Sequence, residues 1–383
     1  MEYRRLGRTG LEASVVGFGA EWIEKMDDNA VRALVDRCVE AGVNIVDCWM
    51  SDPAVRSALG AALEPTRDRW IIQGHIGSTW QDGQYVRTRD LDAVRPAFED
   101  LLARLRTDHV ELGMIHFVDD PTELRDLLEG AHGFMDYVRQ LKAEGKIGHI
   151  GLSTHNPDVA SLAAACGEVE VILFSVNPAF DLMPPTPNLE DLFGDYENVG
   201  GDGIEPARAQ LYALCEREDV ALTVMKGYAG GRLLAADSSP FGVALTPVQC
   251  LHYALTRPAV ASVLAGVESV AQLDEALAYC DATPEQLDYA SVLAGAPKHA
   301  YYGQCTYCGH CAPCAAGINI ALTNKYADLA LQHDEVPPTV RAHYEAMPVT
   351  AGACIACGQC EPRCPFGAPI VARMGQTTAL FGC

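Results

Sequence analysis

Basic residues are scarce in this chain of 383 residues: 28 Lys and Arg stand against 51 Asp and Glu, a formal net charge of −23. A surface that acidic repels phosphate backbones, which excludes nucleic acid as a natural partner and favours the basic patches of a redox partner protein. Long apolar runs are missing as well. None approaches the ~20 residues of a membrane span, and the opening Met1-Glu2-Tyr3-Arg4-Arg5-Leu6-Gly7 holds no apolar stretch of signal-peptide length. The expectation is a cytosolic protein with no membrane partner. What is abundant is apolar residue, at 49%, enough for a large core and incompatible with a mainly disordered chain.

Cysteine is also abundant, with 15 residues, too many to read as disulfides in a reducing compartment. Seven are scattered singly, at Cys38, Cys48, Cys166, Cys215, Cys250, Cys280 and Cys383, and read as small buried hydrophobes. The other eight crowd into two knots. One is Cys305-Thr-Tyr-Cys308-Gly-His-Cys311-Ala-Pro-Cys314; the other is Cys354-Ile-Ala-Cys357-Gly-Gln-Cys360-Glu-Pro-Arg-Cys364-Pro365. Two zinc knots also use thiolates at C-x2-C spacing, but four cysteines in close succession, twice over, fit two [4Fe–4S] clusters better.

Upstream of the knots, short apolar runs read as strands at 13–20, 44–48, 70–76, 110–117, 147–153, 169–176, 221–226 and 261–267. Amphipathic segments lie between them. Eight strands alternating with helices imply parallel pairing with right-handed crossovers, and eight units in ~270 residues fit a (β/α)8 TIM barrel. Two inserts stand out: a polar one at 77–89 after the third strand, and a long Pro-, Gly- and acid-rich loop at 181–203 after the sixth. The predicted organisation is a barrel over 1–283, followed over 284–383 by a linking helix (283–298) and a small α-rich domain around the knots.

The second knot resembles the C-x2-C-x2-C-x3-C-P run of bacterial ferredoxins, in which the fourth cysteine of each run serves the other cluster. That resemblance implies a two-cluster ferredoxin-like domain. One cluster would be held by Cys305, Cys308, Cys311 and Cys364, the other by Cys354, Cys357, Cys360 and Cys314.

The barrel segment carries a second resemblance. Tyr3-Arg4-Arg5-Leu6-Gly7-Arg8-Thr9-Gly10-Leu11, Val16-Gly17-Phe18-Gly19, Ala41-Gly42-Val43-Asn44 before Asp47, Gly148-His149-Ile150-Gly151-Leu152-Ser153 and Val224-Met225-Lys226 with Gly230-Gly231-Arg232-Leu233 are together similar to the aldo/keto reductases. With the knots, the whole chain resembles the iron–sulfur branch of that family. The resemblance implies a catalytic Tyr, Lys, Asp and His. The Asp falls at Asp47 and the His at His116. The Tyr position holds Asp52, the following Gly holds Pro53, the Glu of the pattern holds Arg56, and the Lys position leads to His75. Asp47, Asp52, His75 and His116 are therefore the candidate acid–base cluster, expected to converge on one substrate oxygen.

The implied cofactor grip is thin. The Lys, Arg and Asn that hold a 2′-phosphate fall on Gly266, Gln272 and Ala276, so NADP is disfavoured. Ser153, Thr154 and Lys226 are the candidate contacts for an NAD, and a flavin is the other carrier that hydride chemistry would require. Trp22, Trp49, Trp80, Phe117, Phe180 and Tyr228 are candidate apolar walls for a small organic substrate. Four functions fit: an oxidoreductase whose two clusters relay electrons, a plain NAD(P)H-dependent carbonyl reductase, a lyase or dehydratase working by Asp and His with structural clusters, and a non-enzymatic electron-transfer subunit.

Overall fold

The computed structural model describes residues 1–194, 196, 203–298, 301–333 and 335–383; most of the second half of the 181–203 loop lies outside the described residues. The chain opens on an antiparallel hairpin, β1 (Tyr3–Arg5) with β2 (Glu12–Ser14). Barrel strands follow as β3 (Val16–Gly19), β4 (Ile45–Cys48) and β5 (Ile71–Ile76). A second hairpin, β6 (Ser78–Gln81) with β7 (Gln84–Arg87), interrupts them. The rest are β8 (Val110–Ile115), β9 (Ile147–Thr154), β10 (Val171–Ser175), β11 (Ala221–Met225) and β12 (Val260–Gly266). The eight barrel strands close in the order β3-β4-β5-β8-β9-β10-β11-β12, all parallel, with β12 bonded back to β3. This is an eight-stranded parallel (β/α)8 barrel. The first strand starts later than the sequence suggests because Glu12–Ser14 pair with Tyr3–Arg5 instead, and the polar insert at 77–89 is the β6–β7 hairpin.

Around the barrel run α1 (Asp28–Ala41), α2 (Pro53–Leu63), α3 (Leu91–Arg104), α4 (Pro121–Leu128), α5 (Phe134–Ala143), α6 (Pro157–Ala165), α7 (Pro206–Glu218), α8 (Pro247–Leu255) and α9 (Val270–Leu277). Short polar side chains start them. Asp27, Asp52, Asp90, Asp120, Asn156, Thr246 and Ser269 each accept a first-turn N–H, satisfying donors the helix cannot. Asp52-Pro53 and Asp120-Pro121 are the cap and first-turn signals of α2 and α4. In α2, a Cβ at Gly60 would stand 2.0 Å from the Arg104 carbonyl oxygen, so only glycine lets α2 lie this close to the end of α3. Ile45, Leu112, Met114, Leu173 and Leu264 fill the barrel interior, and Leu6 and Ala13 of the first hairpin close its floor.

The single linking helix expected at 283–298 is two short ones, α10 (Pro284–Leu287) and α11 (Tyr289–Ala294). Asp288 breaks them apart (φ −71°, ψ 79°) and caps the second through the Ser291 N–H. Tyr289 and Leu293 pack in a core shared with Phe180, Tyr253, Tyr301 and Phe366, which joins the barrel to the C-terminal segment. Tyr301 Oη donates to the Pro178 carbonyl at 2.5 Å and Arg257 Nη2 to the Thr306 carbonyl at 2.6 Å across the same join. Beyond it come α12 (Ile320–Ala330), α13 (Pro338–Glu345) and α14 (Ile370–Phe381). The two knots repeat one backbone course. Tyr307 and Gly309 flank Cys308 at positive φ (59° and 82°), as Ala356 and Gly358 flank Cys357 (53° and 69°). Gly317 and Gly367, also at positive φ, then lead into α12 and α14. No helix among the described residues is long and apolar enough to cross a membrane.

Candidate active site

At the C-terminal ends of β4, β5 and β8, where (β/α)8 barrels place their chemistry, four side chains form a line. Asp47 Oδ1 lies 2.9 Å from His75 Nε2; His75 Nδ1 lies 2.8 Å from His116 Nδ1; His116 Nε2 lies 2.7 Å from Tyr85 Oη. Asp47 also accepts from Gln73 Nε2 at 2.7 Å, and Gln73 Oε1 accepts from the Thr223 hydroxyl at 2.8 Å across the barrel. Asp47, His75 and His116 are buried, whereas Tyr85 is half-buried. Burial, with His75 and Arg89 nearby, holds His116 well below the usual histidine range, so its ring is neutral at neutral pH. Burial raises the Tyr85 hydroxyl against the pull of Arg87 and Arg89, so it keeps its proton there.

With one proton on each ring, the bonds admit one tautomer set. His75 donates from Nε2 to Asp47 and accepts at Nδ1. His116 donates from Nδ1 and accepts at Nε2 from the Tyr85 O–H. The three inherited residues thus stand in series, one behind another. The parallel convergence expected from the sequence is not what the fold builds, because β5 and β8 are neighbours and their two rings fill the gap between them.

The hairpin that brings Tyr85 is held from three sides. Arg56, almost wholly buried, donates to the carbonyls of Met50, Ala97 and Ser78. The Ser78 hydroxyl donates to the Trp49 carbonyl and Ser51 to that of Thr79. Arg87 and Arg89 both pair with Glu123 and reach the Phe117 carbonyl. Trp49 lies parallel to His116, centroids 5.9 Å apart and planes 8° apart, and meets Tyr85 edge-on at 5.5 Å.

A second pair was not foreseen. Asp119 accepts from the His155 backbone N–H at 2.7 Å, from its Nδ1 side at 2.9 Å and from the Thr154 hydroxyl at 2.8 Å. Burial alone would raise the Asp119 carboxyl, but these His155 and Thr154 bonds outweigh it and hold it below the usual range. Glu21 faces the same region. Burial raises its carboxyl, Lys226 opposes the rise and Asp47 adds to it. Tyr85, sitting in an insert read only as polar, had no signal beyond its aromatic identity.

The aldo/keto reductase family model matches residues 15–244. The chain belongs to the aldo/keto reductase family. It is 26% identical over 292 residues to the uncharacterized oxidoreductase YqkF of Bacillus subtilis, covering 72% of this chain and 90% of that protein. It is 27% identical over 302 residues to the L-galactose dehydrogenase of Arabidopsis thaliana, covering 73% and 88%. Its fold superposes on the holo form of aldo-keto reductase AKR11C1 from Bacillus halodurans with a TM-score of 0.57 at 21% identity, over 75% of this chain and 94% of that one.

Against the family pattern, several expected residues take other places. Asp52, at the tyrosine position, is the N-cap of α2, accepting from Ala54 N at 2.7 Å and Val55 N at 3.4 Å. With Pro53 starting the helix, its carboxylate is spent on the backbone and is no member of the acid–base line. Ser153 Oγ accepts from Phe117 N at 2.8 Å, and Thr154 is bound to Asp119. Both end strand β9 tied to the loop after β8. Lys226 stands at the barrel mouth, half-buried, with positive φ (55°) and its carbonyl accepting from Asn177 Nδ2.

At the family's phosphate grip, Gln272 Oε1 accepts from Glu268 N, and Lys25 is paired with Glu268 at 3.3 Å while lying over the Trp22 ring. A 2′-phosphate finds no uncommitted cation among these residues. Of the six candidate aromatics, Phe180 is core, packed edge-on against Phe193 at 5.2 Å. A cavity of about 490 Å³ opens at the opposite, floor end of the barrel beside Arg4, Ala221, Val260 and Lys325, away from this site.

None of the eight knot cysteines is in a disulfide. They line two cavities. Cys305, Cys308, Cys311 and Cys364 surround one; Cys314, Cys354, Cys357 and Cys360 surround the other. Asn324 Nδ2 points at Cys305 Sγ (3.5 Å) and Ala368 N at Cys364 Sγ (3.4 Å), the kind of hydrogen bond to sulfur that tunes iron–sulfur centres.

Proposed function

We propose that this member of the family is an oxidoreductase that transforms a small organic carbonyl or alcohol at the mouth of its barrel and exchanges electrons with a partner protein through two [4Fe–4S] clusters in its C-terminal segment. The observation that carries the reading is the division of eight thiols into two cavities, each mixing both knots in the crossed sets of two-cluster ferredoxins. Bound there, the clusters supply one-electron steps. Cys305, Cys308, Cys311 and Cys364 would hold one, and Cys354, Cys357, Cys360 and Cys314 the other. The net charge of −23 suits a one-electron donor with a basic docking face.

Within the barrel, Asp47 fixes His75, and His75 fixes the tautomer of His116, so protons are handled without the family's lysine. Plain NAD(P)H-dependent carbonyl reduction is less well supported, since Ser153 and Thr154 are engaged elsewhere and the 2′-phosphate grip is empty of available cations. The test is anaerobic purification, with iron and sulfide analysis, followed by a panel of small aldehydes, ketones and enones with reduced viologen as electron donor. About eight iron and eight sulfide per chain are expected for two clusters, together with viologen oxidation dependent on one panel member. His116→Ala should slow that turnover by ~10²–10⁴-fold with iron content unchanged. Two zinc and no sulfide would refute the reading.

A further inference from the structure

We propose that Tyr85, carried in on the β6–β7 hairpin, is the catalytic acid–base of this barrel, and that His116, His75 and Asp47 behind it form a series relay for its proton. The proposal rests on the reading of the barrel mouth as the place where a substrate oxygen reacts.

The line runs from the Asp47 carboxylate at one end to the Tyr85 hydroxyl at the other, and of these only the hydroxyl can both donate and accept a proton. Both nitrogens of His75 are engaged, by Asp47 and His116, and both nitrogens of His116 are engaged, by His75 and Tyr85. Trp49 covers a face of the His116 ring. Neither imidazole can meet a substrate oxygen without giving up a bond in a buried setting, where an unmade hydrogen bond is costly. The Tyr85 hydroxyl ends the line, is half-buried, and has a further valence for a ligand.

The step balances without moving electrons. In the loaded state His75 carries protons on both nitrogens beside the Asp47 carboxylate. Its Nδ1–H then points to His116 Nδ1, the His116 Nε2–H points to Tyr85 Oη, and the Tyr85 O–H points outward. As negative charge forms on a substrate oxygen, the Tyr85 O–H bond breaks and the substrate O–H bond forms. Tyr85 takes the Nε2 proton of His116, and His116 takes the Nδ1 proton of His75. His75 ends neutral, still donating to Asp47, and His116 ends as the other tautomer. Run backwards, the line takes a proton from an alcohol.

The departures from the family pattern belong together in this light. The residue that stands at the pattern's Glu, Arg56, is the buried guanidinium that anchors the start of the hairpin through Ser78. The residue at the pattern's Tyr, Asp52, starts the helix that carries Arg56. One loop has lost the tyrosine and braces another that brings one.

The test uses the full chain, purified anaerobically and labelled with 15N-histidine, as wild type and as Tyr85→Phe. Charged and titrating groups around the line are Arg87 and Arg89 on the hairpin, Glu123 opposite them, and Glu21, Lys226 and His155 around the mouth. On lowering the pH, wild-type His116 should pass from the Nδ1–H to the Nε2–H tautomer while staying singly protonated. A His116 that becomes doubly protonated, or never changes tautomer, would overturn the relay. In the viologen-linked panel, Tyr85→Phe should lower kcat by ~10²–10⁴-fold with KM, iron content and the His75 resonances little changed; retained turnover would overturn the role of Tyr85. A wild type that flips its tautomer yet turns over no panel member would instead count against the oxidoreductase reading.

Discussion

Nδ1 of His75 and Nδ1 of His116 stand 2.8 Å apart, so a single proton lies between two nitrogens that cannot both carry one. A lysine at this place would hold a permanent charge beside Asp47. Both rings are buried, and a fixed cation in such a place would be costly.

The crossed cysteine sets make a pairing prediction. Cys314→Ser and Cys357→Ser should lose the same cluster and leave matching low-temperature EPR spectra of the reduced protein. Cys308→Ser and Cys364→Ser should share the other residual spectrum. If Cys314→Ser instead matches Cys308→Ser, each knot holds its own cluster.

NADPH should bind weakly. Lys25 is paired with Glu268, and Gly266, Gln272 and Ala276 offer no charge to a 2′-phosphate. Calorimetry on the anaerobic protein should show no binding at low-micromolar Kd, and a Kd in or below that range would contradict this account of the segment.

Asp52 is assigned a capping role, so Asp52→Ala should lower stability by about 1 kcal/mol and leave turnover unchanged. Asp52→Asn should restore most of the lost stability, since its amide oxygen can accept the same bonds. A large fall in kcat for either variant would return Asp52 to the catalytic group.

His252 should contribute to acid sensitivity. Burial, aided by Arg257, Arg4 and His310, pushes its pKa down to about 4, and its Nδ1 has no hydrogen-bond partner. An unfolded histidine titrates near ~6.5. Between those values the unfolded chain binds the extra proton, so stability falls as pH drops from ~6.5 towards 4 and is flat above that window. Buried His116 acts with the same sign. Urea midpoints at about pH 7.5 and pH 5 should therefore differ less for His252→Gln than for wild type; an unchanged difference would show that His252 is not a contributor.

The sequence by itself determined the barrel and much of its site. Eight apolar runs alternating with amphipathic ones have few ways to bury both faces of a parallel sheet. Asp47, His75 and His116 were legible because strand ends fall at fixed places in that alternation. The two knots were legible for the same reason, since thiolate spacing is a local property of the chain. What only the tertiary structure decided were relations between distant segments. Asp52 looked like a substitute acid until the helix after it showed where its carboxylate points. Ser153 and Thr154 read as strand-end polar residues, and only the fold shows that they bond to Phe117 and Asp119 after the neighbouring strand. Tyr85 became a member of the site only when a hairpin, clamped by Arg56, Arg87 and Arg89, set its hydroxyl against His116. Hydrogen bonds of this kind depend on Ångström-scale placement of side chains from separate elements, and the pattern of apolar and polar residues along a chain does not encode that placement.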